Sequence, residues 1–146
     1  MAIQGEKVAI MLYSRAEMST RRPRNKTLFK QLTAMEKGHM AVLTKRFVLE
    51  PDMPTQEEIE NFDIKLDTME DELEVLVYAM SEEIKAKNLY LEGKRNSTDR
   101  KTRKIFEQLI TDEEYHHDLL KGIYVQLTGR EPEEKHVDTP GIAGTD

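Results

Sequence analysis

Apolar residues recur along this chain at helical spacing, in four long stretches separated by shorter polar ones. The first stretch covers about residues 2 to 20, where Glu6, Ala9 and Tyr13 stand at i, i+3 and i+7 on one face. Pro23 and the basic residues around it break the pattern. A second helix is then expected over about 25 to 48, with Leu28, Leu32, Met35, His39, Val42 and Leu43 as its inner stripe. The third and fourth run over about 69 to 94 and 99 to 127, parted near Asn96 and Ser97. Asp71, Glu72 and Glu74 fall in the opening turns of the third, where the helix dipole favours negative charge. At 1.5 Å per residue the four helices should be about 28 to 44 Å long.

Residues 49 to 68 join the two helix pairs. Pro51 and Pro54 punctuate the join, and QEEIENFDIKLD after them predicts a short helix. A connection of about 20 residues is too long for a tight hairpin between neighbouring helices. It is long enough to travel the length of a bundle, as a one-crossover topology requires, and long enough to let helix pairs swap between two chains. Beyond Thr128 the chain turns Gly-, Pro- and acid-rich, so 1–128 reads as one domain and 129–146 as a disordered tail.

An internal repeat organises the helices. Shifting the chain by 77 residues, without a gap, places Glu6, Ala9, Leu12 and Tyr13 on Glu83, Ala86, Leu89 and Tyr90. The same shift carries Phe29, Gln31, Leu32, Glu36, His39 and Leu43 onto Phe106, Gln108, Leu109, Glu113, His116 and Leu120. Ala2 with Ala79 and Val48 with Val125 bring the identities to 12 over the 47 positions from 2 to 48. Unrelated segments of ordinary composition would share about three. The matched residues are the ones able to carry chemistry and the apolar residues that frame them.

Glu36 with His39, and Glu113 with His116, are Glu-x-x-His pairs in the middle of two long helices. Their i, i+3 spacing puts carboxylate and imidazole on the same face, one turn apart. Glu6 and Glu83 hold matching places on the other two helices, each 33 residues before its histidine. Four glutamates and two histidines distributed in this way are the ligand set of a two-metal site in a bundle core. Carboxylates can bridge two cations while each imidazole caps one, and four carboxylates neutralise two divalent ions. A lone Glu-x-x-His is ordinarily an accident of a charged helix, and Tyr13 and Tyr90 alone would be core aromatics. Recurrence of the whole set at one offset is what points to metal. Neighbouring residues offer a second register, Glu114 with His117, and Glu82 adjoins Glu83; the repeat selects Glu113, His116 and Glu83. His136, in the tail, is left uninvolved.

Composition narrows the partners. The chain has 146 residues and a net charge of −6, which argues against nucleic acid, since phosphate binding needs an excess of Lys and Arg. Basic clusters at Arg21, Arg22, Arg24 and Lys26, and from Arg100 to Lys104, read as solvated surface at helix turns. There is no cysteine, which excludes disulfides, thiolate zinc sites, iron–sulfur clusters and cysteine catalysis, and fits a cytoplasmic protein. No stretch approaches the roughly 20 apolar residues of a membrane span, and MAIQGEKVAIMLY reads as a helix start and not as a signal peptide.

At EKVAIMLY followed by LFKQLTAMEKGH, and EEIKAKNLY followed by IFEQLITDEEYH, the sequence resembles the rubrerythrin-like branch of the ferritin-like superfamily. The resemblance covers about residues 2 to 127. It implies an all-α, up-down-down-up four-helix bundle, built from two tandem helix hairpins with a long crossover, around a di-iron centre that reacts with peroxide or dioxygen. Carried onto this chain, Glu36 and Glu113 would bridge the irons, Glu6 and Glu83 would be terminal ligands, and His39 and His116 would sit on separate irons. Tyr13 and Tyr90 would lie close behind the ligands. The chain departs from the family in two respects. It lacks cysteines for a rubredoxin domain, so electrons would come from an external donor. Lys85 and Ala86 stand where a further carboxylate is expected on the third helix, with Glu82 alone near enough to substitute.

Three kinds of function fit. One is a di-iron oxidoreductase that reduces peroxide or oxidises Fe(II). Another is a metal-handling protein holding Fe, Mn or Zn with little turnover. The last is a non-catalytic bundle that keeps the ligands as relics. A homodimer is expected, because rubrerythrin-like bundles associate.

Overall fold

The computed structural model describes residues 2–133. Of the expected tail, 134–146, with His136, lies outside the described residues. Helices α1 (Ala2–Ser19), α2 (Pro23–Phe47), α3 (Gln56–Glu60), α4 (Met69–Asn96) and α5 (Arg100–Thr128) follow one another, with no strand among the described residues. None of them is long and apolar enough to cross a membrane. The chain divides into two compact units at Leu76 and Val77, within α4.

In the first unit α1 and α2 pack as a hairpin. Ile10, Leu12, Tyr13 and Ala16 of α1 and Leu28, Phe29, Leu32, Met40 and Leu43 of α2 are buried, with Leu66, Val75 and Leu76. The break expected at Pro23 falls between α1 and α2, and Pro23 itself opens α2 as the first helical residue. Its fixed φ suits that position and its missing N–H costs nothing there. The inner stripe of α2 also differs from the expected one: Met40 is buried and Val42 is exposed. Met40 lies about 40° around the helix from Glu36, whereas Val42 lies about 120° away. The helix ends with Val48 at φ 51°, its N–H donating to Thr44 O. A β-branched residue in this left-handed conformation, where glycine is usual, costs about 1 kcal/mol.

The expected helix over 56–67 is cut to the five residues of α3. Thr55 and Glu58 form a reciprocal capping box at its start. Asn61 then leaves the helical region, and the chain runs on irregularly to bury Leu66. Asn favours such turns because its side chain competes for backbone hydrogen bonds. The connection is fastened to α1 by Lys7, whose Nζ lies 3.1 Å from Asp52 and 3.0 Å from Glu58. Asp71 accepts from the backbone N–H of Thr68 and Thr68 Oγ1 accepts from that of Asp71, so α4 starts with its own capping box.

In the second unit the rest of α4 pairs with α5. Ala79, Met80 and Tyr90 of α4 and Phe106, Leu109, Leu120 and Ile123 of α5 are buried. Gly93 lets Phe106 approach closely: a Cβ at Gly93 would stand 2.7 Å from the ring. Asp99 caps α5 by accepting from Thr102, and Gly129, at φ 72°, closes it.

Candidate metal centre

Helical period puts the acidic and imidazole side chains of each helix on one face. In the first unit, Glu6 of α1 and Glu36 and His39 of α2 converge. His39 Nδ1 lies 3.2 Å from Glu36 Oε1 and 3.6 Å from Glu6 Oε1. In the second unit, Glu83 of α4 and Glu113 and His116 of α5 repeat the arrangement. His116 Nδ1 lies 3.4 Å from Glu83 Oε2 and 3.8 Å from Glu113 Oε2. Within each triad the potential ligand atoms lie within 4.8 Å of one another, and the histidines are 5 % and 0 % exposed.

Tyr13 and Tyr90 are buried, each against a matching phenylalanine. Tyr13 lies 6.2 Å from Phe29 and Tyr90 6.1 Å from Phe106, centroid to centroid. The same apolar framing therefore occurs in both units, as the 77-residue repeat requires.

The alternative register faces outward. Glu114 is exposed and pairs with Lys87 at 3.0 Å, and His117 lies beside the exposed Asp118. Glu82, the substitute for the missing carboxylate, is held by Lys85 Nζ at 2.9 Å, and burial and the Glu82 charge push the nearby Tyr78 phenol up.

Burying the two carboxylates of each triad costs several kcal/mol per ion unless positive charge accompanies them. One divalent cation balances the two glutamates of a triad. An imidazole nitrogen with carboxylate oxygens is a donor set that intermediate first-row ions accept. The residues present therefore fit a metal in each triad.

One buried polar group escaped the sequence reading. Glu72, read from the sequence only as an acid favoured by the dipole in the opening turns of α4, is 3 % exposed. Its Oε1 accepts from Thr20 Oγ1 and, at 3.1 Å, from Asn25 Nδ2. The sequence carried one signal for it: Glu72 precedes Glu83 by 11 residues, three helical turns, on the face that is buried throughout α4.

The rubrerythrin family model matches residues 1–124, with a further match over 74–139. The chain belongs to the rubrerythrin family. Membership places it among di-iron carboxylate proteins, whose metal ligands are of the kind gathered here. A solved structure of a hypothetical protein from Pyrococcus furiosus superimposes with a TM-score of 0.77. It is 23% identical, over 90% of this chain and 89% of the other. That likeness shows an all-helical fold, and with the family match the fold is ferritin-like. No curated protein matches the chain.

Proposed function

We propose that this rubrerythrin-family chain binds two iron ions through Glu6, Glu36, His39, Glu83, Glu113 and His116, and acts as an oxidoreductase on peroxide or dioxygen. The observation that carries the reading is the duplicated Glu, Glu and His triad, buried alike in both units.

Iron held there supplies one-electron chemistry, passing between ferrous and ferric states. The chain's own residues set the conditions. Two carboxylates in each triad, Glu6 with Glu36 and Glu83 with Glu113, would compensate the charge of a bound metal. The imidazoles of His39 and His116 would each hold one ion. The apolar residues flanking the triads, Leu32 and Leu43 in one unit and Leu109 and Leu120 in the other, are buried and keep bulk water out. Electrons for repeated turnover would come from a donor other than residues 1–146, which hold no cysteine.

A second reading, metal binding with little turnover and with Mn or Zn as alternatives, draws on one observation. Glu82, the one acid near the place of the additional carboxylate, is tied up by Lys85. Anaerobic loading with Fe(II), followed by admission of air or peroxide, separates the two. About two irons per chain, with a ferric absorbance band growing on exposure, supports the oxidoreductase. Two irons that stay ferrous support the passive binder, and failure to bind iron, Mn or Zn removes both.

A further inference from the structure

The two helix hairpins are built on one repeat but closed differently. At the 77-residue offset, Thr20, Arg22 and Asn25 correspond to Ser97, Asp99 and Thr102. The α4–α5 turn closes on itself: Asp99 Oδ2 accepts from the backbone and hydroxyl of Thr102, at 2.9 and 2.7 Å. The α1–α2 turn has no such acid. Arg22 makes no side-chain cap, and Thr20 and Asn25 both donate instead to Glu72. A single buried carboxylate, 52 and 47 residues away in sequence, thus joins the end of α1 to the start of α2.

Asn25 lies on the same buried face of α2 as Glu36, 11 residues or three turns before it, with Leu28, Phe29 and Leu32 between. Fixing Asn25 therefore fixes the rotation of α2 about its own axis. Thr20 fixes the end of the helix that carries Glu6. A rotation of about 20° would sweep a side-chain carboxylate by roughly 2 Å, given the helix radius. Metal coordination tolerates departures of only about 0.2 Å. A nonspecific core contact would not discriminate rotations this small, whereas two hydrogen bonds to one oxygen do.

We propose that Glu72 is a positioning residue for the first triad, holding Glu36 and His39 in register with Glu6. The inference rests on the metal-binding reading above. Glu72 acts through Asn25 and Thr20, the two residues that donate to it.

The test is anaerobic Co(II) titration of the full chain, with visible ligand-field spectra, helicity by circular dichroism and urea midpoints recorded together. Glu72→Leu should stay helical, bind cobalt about tenfold more weakly and show shifted bands. Glu72→Gln, which keeps the accepting oxygen, should restore wild-type bands and affinity. If Glu72→Leu does not fold, Asn25→Ala, which removes one of the two bonds, should shift the bands the same way with a loss of about threefold. A folded Glu72→Leu, or failing that Asn25→Ala, with wild-type bands and affinity overturns the proposal, even if its urea midpoint has fallen, since the group would then be merely structural. Wild-type protein that binds no cobalt would show up before any variant was made, and would overturn the metal reading and this inference with it.

Discussion

His116 Nδ1 lies 3.4 Å from Glu83 Oε2, and neither side chain reaches solvent, while the adjacent His117 turns outward beside Asp118. One residue along a helix is a rotation of about 100°. The two histidines are therefore chemically alike but stand on different faces of α5. Replacing His116 with alanine should lower metal affinity roughly tenfold or more, and His117→Ala should leave it unchanged. Metal content after reconstitution and dialysis decides this; the reverse ranking would place the ligands in the other register.

Metal binding should be visible as stability. A ligand that binds only the folded chain, at 100 times its dissociation constant, adds about 2.7 kcal/mol. For a domain of this size that raises Tm by roughly 8 °C. Thermal melts with Fe(II), Mn(II) or Zn(II) under argon should show the rise, and a chelator should reverse it. Identical melts with and without metal would count against occupied triads.

Two glycines in helices should respond oppositely to alanine. At Gly93 a Cβ would stand 2.7 Å from the Phe106 ring, which is itself packed against Tyr90. Displacing that ring should cost more than the helix propensity gained, for a net loss of about 1 kcal/mol. At Gly122 nothing lies within 4 Å, so Gly122→Ala should gain about 1 kcal/mol. Urea midpoints of the two variants give both signs in one experiment.

The clasp of Lys7 on the α2–α4 connection should make a pH-dependent contribution. Hydrogen bonds to Glu58 and Asp52 raise the Lys7 ammonium above its usual 10.5. Bonds from the Thr55 backbone and Lys7 hold Glu58 below its usual 4.5. A depressed carboxylate stabilises the fold above its unfolded value and loses that effect as pH falls through its folded one. A raised ammonium stabilises below its unfolded value and loses the effect as pH rises through its folded one. The difference in stability between wild type and Lys7→Met should therefore be level between about pH 5 and 10 and shrink outside that window. A difference that varied steeply near pH 7 would show that another group carries it.

Much of this molecule was legible before any coordinates. The four long helices lie within a few residues of where apolar spacing put them, because the period that buries one helix face is a local property. The repeat also separated Glu83, Glu113 and His116 from their neighbours Glu82, Glu114 and His117, and the first three are the buried ones. Where the reading of elements missed, it missed at ends and edges. Pro23 opens α2 because a residue with no N–H suits the first turn, and α3 stops at Glu60 because burial of Leu66 outweighs continuation of a short, polar helix.

By itself, then, the sequence determined the helices, their duplicated design and the faces on which glutamate and histidine stand. Periodicity and repetition write those into the order of residues. Only the tertiary structure decided that Glu72 leaves solvent to bind Thr20 and Asn25, that Met40 and not Val42 enters the core, and that Phe106 fills the space above Gly93. Each of these is a contact between residues far apart in the chain or across helices, set by how packed surfaces interlock. A polar group that finds its partner some 50 residues away leaves no periodic trace of it.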